Sequence, residues 1–315
     1  MNIKKNYFKL LLTLALALTA LVAVGCGGGG NADKAADTKK TVTVTTSFLQ
    51  DMTKQLAGDY VNIELIIPAG EDPHLYVAQP ADLEKIKKAD LLLYHGLHFE
   101  GKMAEVLEKK GVAVTKDFAD ANINYMEEDG KKIVDPHFWF DVKLYEKACD
   151  EAAKALIEKI PAHEKEIQAN LKAYREKLEA LDAEIRTTLA EIPAESRILV
   201  TPHDAFHYFS RRYGIEVKAP QGVSTDAELS TNDMAETADF IVAHKIKAIF
   251  AESTTDPARM EKLKESCAAR GFAVEVVSGG SDELYSDSLA QKGEDGDTYI
   301  TMVEHNVKLI AAHLK

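Results

Sequence analysis

Short apolar runs alternate with amphipathic stretches along most of the chain. Each run is β-branched and bounded by polar residues, which is typical of strands buried in a sheet. The predicted strands form two series: Thr41–Thr46, Val61–Ile67, Asp90–Tyr94 and Val112–Thr115, then Arg197–Thr201, Glu216–Ala219, Lys247–Ala251 and Ala273–Val277. Helical patterns separate these strands. We therefore expect an α/β protein with two lobes, each holding a four-stranded parallel sheet flanked by helices.

One long apolar stripe joins the two series. The stretch from His163 to Ala190 contains no Gly or Pro, and its apolar residues recur every three or four positions. The stripe consists of Ile167, Leu171, Tyr174, Leu178, Leu181, Ile185 and Leu189. Such spacing places them on one face of a helix. A coiled coil is the alternative, but about four heptads is near its lower limit. We predict a single stiff helix that spans the lobes.

The N-terminus has the features of an export signal. Three lysines precede an apolar run from Leu10 to Val24, and small residues lead to Cys26. This order indicates a secretory signal, and the run is short for a membrane span. The residues before Cys26 resemble the lipobox of bacterial lipoproteins, although Ala23 stands where Leu is commoner. A plain secreted protein is the alternative. Residues 27–40 are rich in Gly and polar residues, which predicts a flexible tether.

These patterns divide the chain into five parts. We predict a signal peptide at 1–25, a lipidated Cys26 with a tether at 26–40, an N-terminal lobe at 41–160, a linking helix at 161–194 and a C-terminal lobe at 195–315. The predicted location is outside the cell, on the outer face of the membrane, with a lipid on Cys26.

Composition and charge exclude some classes of partner. The chain is 46% hydrophobic and 28% charged, as in ordinary globular proteins. Its formal net charge of -13 argues against nucleic acid as a partner. Cys149 and Cys267 lie far apart in helical patterns, so we favour two separate buried thiols, with one disulfide as the alternative. No cysteine cluster is available to bind a metal.

Three histidines occur in similar loops. His74, His137 and His203 each follow a proline, and His74 and His203 lie just after predicted strands. Ligands of open α/β sheets bind at the carboxyl ends of strands, and neutral imidazole is a common ligand of transition metals. Each histidine also has an aspartate within two residues: Asp72, Asp135 and Asp204. A single histidine is more often a surface or helix-capping residue than a metal ligand. These features alone therefore leave both interpretations open.

The loops resemble those of a known family. Residues 71–74 with Pro80, residues 135–141 and residues 203–209 resemble the three histidine loops of TroA-like zinc/manganese solute-binding proteins. These proteins are the receptors of metal-specific ABC importers. The likeness continues through the segments 249–253, 284–289, 298–300 and 305–306. It spans nearly everything from Thr41 to the C-terminus, with its motifs in order.

The resemblance implies a metal site, a cargo and a partner. In the family the fourth ligand is an aspartate, which corresponds to Asp287, so the implied ligands are His74, His137, His203 and Asp287. The implied cargo is Zn²⁺ or Mn²⁺, and the implied partner is an ABC importer permease in the cytoplasmic membrane. We expect a monomer and no enzymatic activity. The family fold of two lobes joined by one rigid helix agrees with the apolar stripe.

The choice of metal depends on few residues. Receptors dedicated to manganese often carry Glu where this chain has His203, which favours zinc. The segment 117–134 lacks the histidines of the long loop found in many zinc receptors, which weakens that preference. Manganese therefore stays a close second, and use of both metals stays open.

The sequence leaves alternative functions open and contains seven further histidines. A zinc hydrolase and a receptor for chelated iron or corrinoid cargo are the alternatives, although the chain has no HExxH motif. An adhesin role is possible as a secondary activity. His95 and His98 could chelate a second metal, but no partner carboxylate is indicated. We expect a packed or solvated His207, and surface positions for the rest: His163, His244, His305 and His313.

Overall fold

The N-terminal lobe is built on a four-stranded parallel sheet. The structure is a computed structural model, and it describes residues 39–128 and 130–315. The sheet order is β2-β1-β3-β4, with β1 Lys40–Val44, β2 Val61–Leu65, β3 Leu91–Tyr94 and β4 Val112–Ala113. Helices α1 Ser47–Ala57, α2 Pro80–Lys88, α3 Ala104–Lys110 and α4 Val142–Lys159 flank it. Central strand β1 is buried at Val42 and Val44, as parallel strands covered on both faces must be. The predicted signal peptide, Cys26 and most of the tether lie outside the described residues.

A hairpin follows the sheet, and sequence reasoning did not predict it. Strands β5 Tyr125–Glu128 and β6 Lys131–Val134 pair antiparallel. The Lys132 ammonium lies 3.7 Å from the centre of the Tyr125 ring, a cation–π contact across the pair. Charged residues dominate this stretch, so it lacks the apolar alternation that marks a half-buried strand.

The long linking helix is confirmed. Helix α5 runs from Glu164 to Ala190 without a break, as the missing Gly and Pro predict. Six of the seven residues of its apolar stripe are buried, and Leu171 is partly buried. The stripe packs against α1 and α4 of the N-terminal lobe and against the C-terminal helix. The helix thus joins both lobes along its length.

The C-terminal lobe holds two pairs of parallel strands. Strand β7 Ile198–Val200 pairs with β8 Glu216–Lys218, and β9 Ala248–Phe250 pairs with β10 Glu275–Val277. Strands β7 and β9 lie side by side, so the four strands form one layer of two hydrogen-bonded pairs. Its helices are α6 His207–Tyr213, α7 Thr231–His244, α8 Ala258–Ala268 and α9 Tyr299–Leu314.

One hydrophobic core runs through both lobes and the linking helix. It includes Phe48 and Trp139 from the first half and Phe206 from the second, all buried. Tyr299, at the start of α9, stacks on Tyr145 of α4 with ring centres 3.5 Å apart. Because close-packed interiors resist deformation, this shared core limits movement of one lobe against the other.

The two cysteines, one histidine and the helix lengths bear on the remaining predictions. Cys149 and Cys267 are both buried free thiols, as predicted. The prediction for His305 was wrong: it is buried, and its Nε2 lies 3.0 Å from the Glu283 carbonyl oxygen. Helix α9 is buried over more than half of its circumference. A position that the amphipathic pattern assigns to the surface, such as His305, is therefore covered. Of the helices among the residues described, none combines the length and the apolar character needed to cross a membrane.

Candidate metal centre

The structure brings the four predicted ligands to one point. His74 lies in the loop between β2 and α2, and His137 immediately precedes a short 3-10 helix, Phe138–Phe140. His203 follows strand β7, and Asp287 lies in the long connection between β10 and α9. Three of these side chains are fully buried, and His74 is 4% exposed. Residues separated by more than two hundred positions therefore meet in the interior, between the two lobes.

The donor atoms of these side chains are closely spaced. The Nε2 atoms of His74 and His137 lie 3.4 Å apart. Asp287 lies 3.3 Å from His137 Nε2 through Oδ1 and 3.2 Å from His203 Nε2 through Oδ2. Its Oδ2 is 3.9 Å from His74 Nε2, and one ligand atom from each residue lies within 4.8 Å of all the others. All four groups face a common centre.

This spacing fits the coordination shell of one metal ion. Ligands about 2.1 Å from a tetrahedral ion are separated from each other by about 3.4 Å, which is close to the observed distances. Both carboxylate oxygens of Asp287 and Nε2 of His203 are buried without a hydrogen-bond partner of suitable geometry. Because unpaired buried polar atoms are costly, their orientation toward one centre suits a cation. A mixed shell of three nitrogens and a carboxylate is one that zinc accepts readily.

An aspartate two residues away orients His137. Asp135 Oδ1 lies 2.8 Å from His137 Nδ1, and the same oxygen accepts the backbone N–H of His137 at 3.0 Å. Both residues are fully buried. With Nδ1 committed to this carboxylate, Nε2 of His137 faces the centre with its lone pair, which is the usual arrangement around a ligating imidazole.

A glutamate from a distant strand orients His203. Glu252 Oε2 lies 2.5 Å from His203 Nδ1 and also accepts the Ser286 hydroxyl at 3.1 Å. Glu252 follows β9 and is 1% exposed. Sequence reasoning included it only in a matching segment, with no assigned role. An acidic residue directly after a predicted strand was the one signal available in the sequence.

The aspartates near the other two histidines serve different purposes. Asp72 Oδ1 accepts the backbone N–H of His74 at 2.9 Å and so fixes the loop. Asp204 does not contact the ring of its neighbour His203. It lies 2.7 Å from Nε2 of His207, one helical turn further on. Similar sequence spacing therefore produces three different contacts.

The Asp287 loop is anchored on both sides. The Trp139 indole N–H donates to the Ser286 carbonyl oxygen at 2.9 Å. Ser288 Oγ accepts the backbone N–H of Gly70 at 2.7 Å and lies 3.2 Å from Ser47 Oγ. Residues of the N-terminal lobe thus hold the carboxylate that the C-terminal half supplies.

The four groups perturb one another strongly. Burial lowers the pKa of His74 to about 3, and the neighbouring imidazoles add to this effect. Burial also opposes protonation of His203, but Glu252 and Asp287 outweigh it and raise its pKa well above the ordinary range. The pKa of His137 is raised too, since Asp135 and Asp287 outweigh burial. The same imidazoles outweigh burial at Asp287 and hold its pKa well below normal.

The remaining histidines form no second cluster in the described part of the chain. His95 is buried, with its Nε2 2.7 Å from Thr46 Oγ1, and packs among aromatic rings. His98 is exposed, so the two do not converge. His207 is partly exposed and is held by Asp204, in line with a packed or solvated role.

A family model matches nearly the whole described chain. It is described as zinc-uptake complex component A, periplasmic, and it matches residues 42–313. This range includes all four converging side chains and both carboxylates that orient the rings. The match therefore covers both lobes and the linking helix.

Known relatives and solved structures agree with this match. The chain is 42% identical to the zinc-binding protein TroA of Treponema pallidum over 287 residues, covering 90% of this chain and 91% of that protein. It is 38% identical to the manganese-binding lipoprotein MntA of Bacillus subtilis over 289 residues, covering 90% and 93%. A solved structure from a study of the metal-binding specificity of TroA aligns with a TM-score of 0.87 at 57% identity, covering 88% of this chain and all of that one.

Proposed function

Because the chain belongs to the family of periplasmic component A proteins of zinc-uptake complexes, we propose that it captures one zinc or manganese ion for an ABC importer. The proposed ligands are Nε2 of His74, His137 and His203 and the carboxylate of Asp287. The chain is a solute-binding receptor and not an enzyme, and the zinc hydrolase alternative has no support.

The observation that carries the proposal is the meeting of four donors within 4.8 Å in a buried space. In the loaded protein, His137 and His203 bind through neutral Nε2 while each Nδ1–H donates to Asp135 or Glu252. Those carboxylates raise the basicity of the rings and fix their orientation. Metal binding thereby replaces the water around the ion with ligands that the fold already holds in place.

We favour zinc as the cargo, with manganese second. Three imidazoles and one carboxylate form the four-coordinate shell that zinc accepts, whereas manganese prefers more oxygen ligands. The two relatives compared above bind zinc in one case and manganese in the other, so they leave the choice to the ligand set. A bidentate Asp287 would supply manganese with one more oxygen.

The proposal extends to location and partners. We propose that Cys26 carries the lipid anchor and that residues 26–40 tether the receptor outside the cell. The relative from Bacillus subtilis is itself a lipoprotein, which supports this. The loaded receptor, acting as a monomer, would dock on the importer permease. We keep 41–160, 161–194 and 195–315 as the proposed lobe and linker boundaries.

Elemental analysis of protein purified from its native host tests the cargo. We expect close to one equivalent of zinc or manganese, and a competition titration between the two metals then ranks them. Zinc should raise the melting temperature of the wild type and of His244→Ala, an exposed control on α7, but not that of His203→Ala. A wild type without bound metal, and without stabilisation by either ion, would overturn the proposal.

A further inference from the structure

A short segment of the C-terminal lobe reaches across to the His74 loop. We define residues 221–227 as the strap. Within it, the Thr225 hydroxyl donates to Asp72 Oδ2 at 2.6 Å, and the other oxygen of Asp72 accepts the backbone N–H of His74. One carboxylate therefore joins the strap to the backbone of a proposed metal ligand.

The strap is fixed at its other end to the loop of a second proposed ligand. Gln221 forms an isolated parallel bridge with His203, and the Asp204 N–H donates to the Gly222 carbonyl oxygen at 3.2 Å. The strap thus runs from the His203 loop to the His74 loop, with Thr225 as its contact to the latter.

Internal hydrogen bonds hold the strap in shape. Gln221 is 4% exposed, and its side-chain amide donates to the carbonyl oxygens of Thr225 at 2.9 Å and Ala227 at 2.7 Å. Its side-chain oxygen accepts from Arg259 of α8. Because the bend is fixed by a buried amide, the Thr225 hydroxyl has a defined position and little freedom to leave Asp72.

The strap covers the side of the site that is least enclosed. His74 is the one proposed ligand with residual exposure, at 4%. It borders a cavity of about 600 Å³ whose lining includes Val223 and Ser224 of the strap. Gly101 also packs against this loop, so closely that an added Cβ would lie 2.8 Å from the His74 carbonyl oxygen. The His74 loop therefore contacts both Gly101 and the strap.

We propose that the strap controls the rate of metal release, with Thr225 and Asp72 as positioning residues that keep His74 in the coordination shell. This inference rests on the proposed metal-capture function. Release requires one ligand to leave first, and His74 is the ligand nearest to solvent. A hydrogen bond to a charged carboxylate is among the stronger kinds. Loss of the bond from Thr225 to Asp72 should therefore let the His74 loop move away from the ion more often. We expect the rate of ion entry to depend on this contact less than the rate of release does.

Zinc release from the full-length mature protein into excess chelator, followed by stopped flow, tests the inference. Thr225→Val keeps the shape of the side chain and removes its hydroxyl, so we expect about a tenfold faster release with association changed less than about twofold. Thr225→Ser restores the hydroxyl and should restore slow release. Thr237→Val is the matched control, because Thr237 on α7 is buried and its hydroxyl has no hydrogen-bond partner.

A double-mutant cycle shows whether Thr225 acts through Asp72. Asp72→Ala should speed release, and adding Thr225→Val to that variant should cause no further change. Lys102→Ala removes the exposed ion pair with Asp226, 3.5 Å apart, and should change release by less than about twofold.

Two results overturn the inference. The first is a folded Thr225→Val that releases zinc at the wild-type rate. The second is a double variant in which the effects of Asp72→Ala and Thr225→Val on the release rate multiply. If Thr225→Val does not fold, the comparison of Asp72→Ala with wild type decides, and equal release rates contradict the role of the strap. Absence of zinc and manganese binding in the wild type would instead overturn the proposed function itself.

Discussion

Two clusters of buried charge lie in this protein, one around Asp287 and the other around Asp182 of the linking helix. Asp182 has a full set of partners: it accepts from Arg186 at 3.2 Å, from Arg212 at 2.9 Å and from the Tyr213 hydroxyl at 2.9 Å. Asp287 faces three imidazoles, yet neither of its oxygens has a hydrogen bond of suitable geometry.

The difference separates a structural cluster from a binding cluster. At Asp182, the arginines and the tyrosine outweigh burial and lower the carboxyl pKa, so the charge is stabilised within the fold. The Asp287 cluster directs its donors at one point instead of at each other. If the cluster binds a cation, as we propose, the free energy spent on burying those groups is recovered and the folded state is stabilised. The first cluster joins the linking helix to α6, and we propose that the second binds the cargo.

The largest expected effect tests the binding cluster. Asp287→Ala removes the only anionic proposed ligand, and we expect zinc affinity to fall about a thousandfold, or about 4 kcal/mol. The metal-free protein should keep its fold, because the substitution leaves the hydrogen bonds that anchor the loop at Ser286 and Ser288 in place. Competition with a chromophoric chelator measures the affinity, and a loss below tenfold would contradict the assignment of this ligand.

The next effect tests the structural cluster. Asp182→Ala removes the acceptor that Arg186, Arg212 and the Tyr213 hydroxyl share, although Arg212 keeps Asp141 at 3.3 Å. We expect the free energy of unfolding to fall by about 2–3 kcal/mol. Zinc affinity should change by less than about threefold. Urea unfolding of metal-free protein provides the measurement. Asp239→Ala, which breaks an exposed pair with Arg270, serves as the control and should leave stability almost unchanged. If Asp182→Ala and Asp239→Ala lose equal free energy of unfolding, the Asp182 cluster has no special structural role.

A smaller effect is expected at the carboxylate behind His203. Glu252→Gln keeps the size of the side chain and removes its charge, so the imidazole becomes a weaker ligand. We expect zinc affinity to fall about 10–100-fold, less than for Asp287→Ala. Glu236→Gln on the exposed face of α7 is the control. If Glu252→Gln binds zinc as tightly as wild type, the charge behind the ring has no role in binding.

The effect of pH should be the most gradual. Because Asp135, Glu252 and Asp287 raise the pKa values of His137 and His203, protons compete with zinc for these two rings up to a higher pH than for an ordinary histidine. Affinity should therefore rise with pH from 6 to 9, by up to about tenfold per unit for each proton released. His74 contributes no proton in this range, because its pKa is about 3.

The metal-free protein should show the opposite trend. A raised histidine pKa gives stability that is present below the unfolded value of about 6.5 and is lost as pH rises through the folded value. The melting temperatures of metal-free and zinc-loaded protein should thus diverge between pH 6 and 9. Parallel curves would show that the imidazoles are not protonated in the absence of metal.

Much of the fold could be predicted from local patterns. All eight predicted strands are present, each one or two residues shorter than predicted. Helix α7 begins at Thr231, where Ser230 and Asp233 form a capping box that local sequence encodes. The hairpin at 125–134 was missed because charged residues hide its alternation.

The sequence by itself determined most of the elements and the linking helix, since these depend on residues a few positions apart, and its resemblance to a family identified the converging side chains. Only the tertiary structure decided the partners. It gave His203 a glutamate 49 positions away, turned Asp204 toward His207, and connected Thr225 to Asp72 across 153 positions. The physical reason is that a side chain's direction depends on the packing of whole elements, which sequence spacing does not specify.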